Sequence, residues 1–148
     1  MGKTEYVHGE GHRRFEQTIS LRTARGVHTL LNDLHVFRER RFLDADYTAC
    51  DILIDLMSAI KQAKLTKRQR NALYLVYERE LSLEETARVM GTNRGNVHKF
   101  LWGVGAYKGA LERIADVYRE WNYEEITISE KAANEALEML RGRENGTV

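Results

Sequence analysis

Residues 83–102, LEETARVMGTNRGNVHKFLW, restrict the fold more than any other part of the chain. They hold two helix-length segments around one glycine. Ser82 followed by Glu85 is a capping box, S-x-x-E, that opens the first segment. Gly91 suits the left-handed residue that ends it. Thr92 then caps a second helix, with Val97, Leu101 and Val104 at helical spacing. Two short helices that cross closely need a small residue at the crossing. They also need a residue tolerant of positive φ four positions later and an apolar residue that closes the pair. Ala87, Gly91 and Val97 meet these needs, and Thr86, Met90 and Phe100 fall on the same inner side. The spacing predicts a helix-turn-helix with Ala87, Met90, Gly91, Val97 and Phe100 as its core.

The rest of the chain reads as helix as well. There is no proline in 148 residues, where average usage would give roughly seven, so nothing forces a helix to stop by ring sterics. Val27, Leu30, Leu31 and Leu34 lie at i, i+3, i+4 and i+7 and predict one helix, extended back through Ala24 and Ile19 and forward through Phe37. Gly26 weakens its start. Asp44 or Asp46 caps the next helix, whose stripe is Ile52, Leu53, Leu56, Met57 and Ile60. Thr66 and Gln69 form another capping box, opening a helix that buries Ala72, Leu73 and Val76. The helix after Thr92 is expected to run on through Leu111, Ile114 and Tyr118, with a kink or break at Gly103, Gly105 and Gly109. Residues 122–128 lose the period and read as extended or irregular. Ser129 caps a last helix carrying Ala132, Ala133, Ala136, Leu137 and Leu140. No alternation is long enough for a sheet. The expectation is an all-α fold, a small helical bundle containing a helix-turn-helix. Its parts are a mobile arm at 1–14, a helical segment at 15–64, the helix-turn-helix domain at 65–121, and an extended segment with a final helix at 122–148.

A formal net charge of +1 does not by itself suggest a polyanion as partner. Its distribution does. Residues 1–60 hold 8 basic and 9 acidic residues, residues 61–108 hold 10 and 4, and residues 109–148 hold 5 and 9. The basic centre coincides with the helix-turn-helix spacing. No acidic residue occurs from Asn93 through Leu111. A recognition helix enters the major groove with its N-terminal residues against base edges. Asn93, Arg94, Asn96, His98 and Lys99 are therefore the candidates for base readout, with Arg94 suited to guanine N7 and O6. Lys67, Arg68 and Arg70 open the preceding helix and, with Thr92 and Lys108, are the candidates for phosphate contact. Trp102 serves equally well in packing.

The opening Leu65-Thr66-x-Arg68-x-Arg70, the pair Leu75 and Tyr77, the run Leu81-Ser82-x-Glu84-Glu85-x-Ala87, then Gly91 and Gly95-x-Val97 together resemble region four of bacterial sigma factors. The likeness covers residues 45–120 and is strongest over 65–101. With Asp44-x-Asp46-Tyr47 and residues 52–63 ahead of it, the chain is similar to the small sigma-like regulators of phages and prophages. The resemblance implies double-stranded promoter DNA as partner, and contact with the RNA polymerase flap. Two departures bear on that role. Gly103-Val104-Gly105-Ala106-Tyr107 stands where a run of Arg and Lys is usual, with Lys108 alone after it. The first 60 residues also lack the aromatic-rich helices that melt promoters. An activator, repressor or accessory factor fits better than a complete sigma factor.

Other constellations carry less. His8 and His12 have the i, i+4 spacing of a metal pair but lie in a glycine-rich stretch, so no metal is expected. His28 and His35 read as core-edge or surface residues, and Cys50 as a buried thiol. Asp44, Asp46, Asp51 and Asp55 complement a helix dipole rather than form a catalytic set. No Walker, GxGxxG or GxSxG motif occurs, so neither an enzyme nor a cofactor is expected. Arg38-Glu39-Arg40-Arg41 reads as dipole-satisfying surface or as a second DNA or polymerase contact. One cysteine, no leader-like segment and no apolar run near the ~18 residues of a membrane span point to the cytoplasm. Open alternatives are a phage DNA-packaging subunit of the small-terminase type, a polymerase-binding module without base readout, and a homodimer through the C-terminal helix.

Overall fold

The computed structural model describes residues 16–43 and 47–129. Strand β1 is Glu16–Ile19, followed by helices α1 (Ala24–Asn32), α2 (Leu34–Leu43) and α3 (Tyr47–Gln62). Next come α4 (Lys67–Leu73), widened by a π turn at Tyr74–Glu78, then α5 (Leu83–Met90) and α6 (Arg94–Trp102). Strands β2 (Gly103–Val104) and β3 (Tyr107–Lys108) form a hairpin, and α7 (Ala110–Glu120) and β4 (Ile126–Ser129) complete the described part. The fold is all-α in character, a small bundle with only short strands.

Helix α7 is the centre of the bundle. Leu111, Ile114, Ala115 and Tyr118 are all fully buried on it. It packs on α1, α3 and α6, which bring Val27 and Leu30, Leu56 and Ala59, and Val97 and Leu101 into the same cluster. The helices before and after residue 65 thus share one hydrophobic core. At ~1.5–3 kcal/mol for each large apolar side chain removed from water, that shared core supplies the main force fixing the helix-turn-helix on its scaffold.

Several expectations are corrected. Residues 16–19 are not the start of a helix. They form a strand antiparallel to β4, with Glu16 opposite Ser129 and Ile19 opposite Ile126. Ser129 is the last residue of that strand, and the helix it is expected to cap lies outside the described residues. Each strand has four residues, too few for alternation to register, and the partners lie more than 100 positions apart. The helix expected through Phe37 is two helices, α1 and α2. Asp33, at φ −98 and ψ 14, is the C-cap of α1, and its carbonyl starts α2 by accepting from Val36 N–H at 3.0 Å. Gly26 is a requirement rather than a weakness. A Cβ there would stand 1.8 Å from the Ser20 carbonyl oxygen, so only glycine lets the incoming chain cross α1. Thr23 caps this helix, accepting from Gly26 N–H at 3.1 Å.

On α3, Ile52, Leu53 and Leu56 face inward as expected, but Met57 is 71% exposed. The buried stripe is completed by Ala49 and Ala59. Cys50 is half-buried rather than buried. His28 is half-buried and His35 exposed. Arg38 is paired with Glu78 at 2.5 Å. The candidate caps Asp44 and Asp46, the arm at 1–14 with His8 and His12, and the C-terminal helix at 132–142 lie outside the described residues.

Candidate nucleic-acid interface

Both capping boxes exist as reciprocal hydrogen bonds. Thr66 Oγ1 accepts from Gln69 N–H at 3.2 Å, and Thr66 N–H donates to Gln69 Oε1 at 3.1 Å. Ser82 and Glu85 repeat the pattern at 3.1 and 3.0 Å. These bonds from Ser82 hold the Glu85 carboxyl below its usual range. Helix α5 then ends in a Schellman motif. Gly91 is left-handed at φ 68, Thr92 N–H donates to Ala87 O at 2.9 Å, and Gly91 N–H donates to Arg88 O at 3.3 Å. Nothing lies within 4 Å of a Cβ placed on Gly91. Its glycine is therefore required by dihedral angle and not by space.

The cap of α6 is Asn93 rather than Thr92. Asn93 Oδ1 accepts from Asn96 N–H at 2.8 Å, and Asn96 Nδ2 donates to Thr92 Oγ1 at 2.8 Å. An Asn at Ncap satisfies an orphan donor as well as Thr does or better, which decides between adjacent candidates. Ala87 and Val97 are buried where α5 and α6 cross, and Met90 and Phe100 are partly buried beside them.

The outward face of α6 holds Arg94, Asn96, His98 and Lys99, all exposed. Asn93 is exposed at the helix start. Asn93 and Asn96 already take part in closing the turn, so Arg94, His98 and Lys99 are the ends most available to a ligand. His98 stacks on Trp102, with ring centroids 6.3 Å apart. Lys99 Nζ lies 5.0 Å above the Tyr107 ring.

Lys67 and Arg68 are exposed on the first turn of α4. Arg68 lies over the Phe100 ring at 5.9 Å, which places the start of α4 beside α6. Arg70 turns away and donates to the Leu65 carbonyl at 2.6 Å. Lys108 is ion-paired with Asp116 at 2.7 Å. Burial works to raise the Asp116 carboxyl, but hydrogen bonds from Lys108 and Arg119 outweigh it and hold the group below its usual range. Of the five phosphate candidates, Lys67 and Arg68 are exposed at the start of α4 and have no ion-pair partner among the described residues, Arg68 resting on the Phe100 ring. Thr92, Arg70 and Lys108 have protein partners.

Sequence reasoning missed the second role of Gln69. It is fully buried, and its Nε2 donates to the Tyr107 hydroxyl at 3.2 Å and to the Lys108 carbonyl at 3.0 Å. The capping-box signal found one end of this side chain. Nothing local in the sequence points to the other. Also missed was a cluster joining α1 to α6. His28 Nδ1 lies 2.7 Å from the Tyr77 hydroxyl, and the His28 ring is 5.1 Å from that of Trp102.

Among the described residues no group of three or more His, Cys, Asp or Glu is placed to hold a metal ion. None of their helices is long and apolar enough to cross a membrane.

The two crossed helices, the left-handed turn and the exposed basic face define a helix-turn-helix of the DNA-binding kind. Residues 63–101 match the family model for sigma-70, region 4, so this segment is similar to the DNA-binding region of sigma factors. The match begins just ahead of the Thr66 cap and ends on Leu101, one residue before α6 ends. No curated protein and no solved structure matches the chain.

Proposed function

We propose that the chain is a sequence-specific, promoter-directed transcription regulator of sigma-like type, which directs or modulates RNA polymerase at phage promoters. One observation carries the reading. The exposed, acid-free face of α6 is continuous with the exposed Lys67 and Arg68 that open α4, Arg68 resting on Phe100 of α6. Arg94 and His98 meet base edges in the major groove, Lys99 meets phosphate beside them, and Lys67 and Arg68 hold the flanking backbone. Asn93, Asn96 and Thr92 fix the angle at which α6 enters the groove.

Contact with polymerase is supported by a surface next to that face. Tyr74 and Val89 are exposed large hydrophobics, and with Leu75 and Met90 they line a groove that also carries Lys67 and Arg68. An apolar floor with a basic rim suits an acidic, partly apolar protein segment.

The deciding experiment is selection of bound duplexes from random oligonucleotides by the full chain, with and without core RNA polymerase. A consensus obtained without polymerase supports autonomous promoter recognition. A consensus that needs polymerase supports an accessory sigma-like role. Absence of any consensus in both arms overturns base-specific reading.

A further inference from the structure

The end of α6 is built in a way the helix-turn-helix itself does not require. The helix stops at Gly103, which adopts φ 81, and a Cβ there would lie 2.4 Å from the Tyr107 carbonyl oxygen. Gly109 is as tightly placed, with a Cβ position 2.4 Å from both Gly103 N and the Leu101 carbonyl oxygen. Between them the chain turns back as a hairpin, with Gly103 opposite Lys108 and Val104 opposite Tyr107. Gly105 holds the first turn position at φ 57, the residue and sign that a two-residue type II′ turn demands.

A hairpin this short is not stable alone, and its base is fastened from two sides. Gln69 on α4 donates to the Tyr107 hydroxyl and the Lys108 carbonyl, and Lys99 on α6 covers the Tyr107 ring. Its tip, by contrast, touches little. Val104 is 62% exposed, and Gly105 and Ala106 are exposed as well. The amides of Gly105 and Ala106 enter no hydrogen bond among the described residues. The hairpin carries no carboxylate.

We infer that the hairpin at 103–108 is a second DNA contact, a short wing that rests on the sugar-phosphate backbone beside the groove occupied by α6. The free amides of its turn donate to phosphate oxygens, as backbone N–H groups do at many DNA interfaces, and the Val104 methyls lie against deoxyribose. Lys99 links the two contacts, since its ammonium belongs to the exposed face of α6 and also caps the ring at the hairpin base. Gln69 fixes the hairpin relative to Lys67 and Arg68. The inference rests on the proposed DNA-binding function and adds to it a contact outside the segment that matches sigma region four.

The test uses the full chain and a random-sequence duplex of about 30 base pairs at low salt, where backbone contacts dominate affinity. Val104→Glu with Ala106→Glu places two carboxylates on exposed positions of the tip. It should weaken binding by about tenfold or more through repulsion from the backbone. Two controls should stay within about threefold: the neutral pair Val104→Gln with Ala106→Gln, and a charge-matched pair on exposed positions of α3, Ile54→Glu with Met57→Glu. A fourth variant, Arg94→Ala with Lys99→Ala, reports on α6. If the acidic hairpin pair costs no more than the α3 pair while the α6 pair still weakens binding, the wing is wrong and the DNA-binding reading stands. If the parent chain binds no duplex, or none of these variants weakens it, both readings are overturned.

Discussion

Gln69 Nε2 donates to the main-chain carbonyl of Lys108 at 3.0 Å, while the Oε1 of the same amide accepts from Thr66 N–H at 3.1 Å. One fully buried side chain thus closes the N-terminus of α4 and anchors the hairpin that follows α6. Gln69→Ala removes partners from Thr66 N–H, the Lys108 carbonyl and the Tyr107 hydroxyl, and opens a void. Urea denaturation at neutral pH should show a loss of about 2–4 kcal/mol. Gln69→Glu keeps the acceptor for Thr66 but sets a buried carboxylate against a carbonyl oxygen. Its deficit should shrink on acidification, when the protonated acid can donate again. A deficit independent of pH would mean that Gln69 acts through volume alone.

Glycines at two positions should respond differently to the same substitution. Gly91 is left-handed with open space around it, so Gly91→Ala carries dihedral strain only, about 1–2 kcal/mol. At Gly26 the added Cβ would meet the Ser20 carbonyl oxygen at 1.8 Å. That clash is with backbone and cannot be relieved by a rotamer change. Gly26→Ala should therefore cost more than Gly91→Ala and disturb the junction of β1 and α1. Equal thermal midpoints for the two variants would contradict the close crossing.

What was legible from the sequence was local. Thr66 with Gln69, and Ser82 with Glu85, sit three residues apart, and Gly91 follows its helix directly, so hydrogen bonds within one turn leave a readable trace. The break at Asp33 left none, because Leu30, Leu31, Leu34 and Phe37 keep a helical period across it. The partnership of β1 with β4 pairs Ile19 with Ile126, a separation that no periodicity spans. Gly103, Gly105 and Gly109 were visible as helix weakeners. Their use in a hairpin was hidden because each strand has two residues. In the candidate site the exposed positions of α6 could be assigned from spacing. The contacts of Arg70 with Leu65 and of Lys108 with Asp116 depend on tertiary packing and could not.

His28 predicts an acid-sensitive link between the N-terminal helices and α6. Desolvation and the nearby Arg25 guanidinium lower its pKa, and Asp33 opposes them only in part. Neutral imidazole fits its partners, with Nδ1–H donating to the Tyr77 hydroxyl and Nε2 accepting from Asn32. A histidine whose folded pKa lies below its unfolded value binds more protons when unfolded. Its contribution is complete above the unfolded value of about 6.5 and is lost as pH falls through the folded value. The urea midpoint should drop between pH 7.5 and 5, and His28→Gln should flatten part of that drop. A parent and variant with parallel pH profiles would remove His28 as the cause.

Arg94 and Lys99 should separate readout from attachment. Arg94→Ala should weaken a selected duplex by about 1–3 kcal/mol and relax one base preference, whereas Lys99→Ala should weaken all duplexes nearly alike. Binding titrations against the selected site and its single-base variants distinguish the two. If the specificity profile of Arg94→Ala equals that of the parent, Arg94 is a backbone contact and base reading lies with His98 or the asparagines.

The salt dependence of binding should be shallower than the basic centre of the sequence suggests. Residues 61–108 carry a net charge of +6, which read as a uniform patch implies about five phosphates neutralised and a log–log slope near −4 to −5. Arg70 is turned to the Leu65 carbonyl and Lys108 is neutralised by Asp116. With Arg94 assigned to a base edge, Lys67, Arg68 and Lys99 remain for the backbone, and about three phosphates give a slope near −2.7. Asp116→Asn releases Lys108 at the base of the hairpin and should steepen the slope by about one unit if the hairpin lies on the backbone. A parent slope near zero would exclude phosphate contact by this face. An Asp116→Asn slope equal to the parent's would place Lys108 away from the DNA.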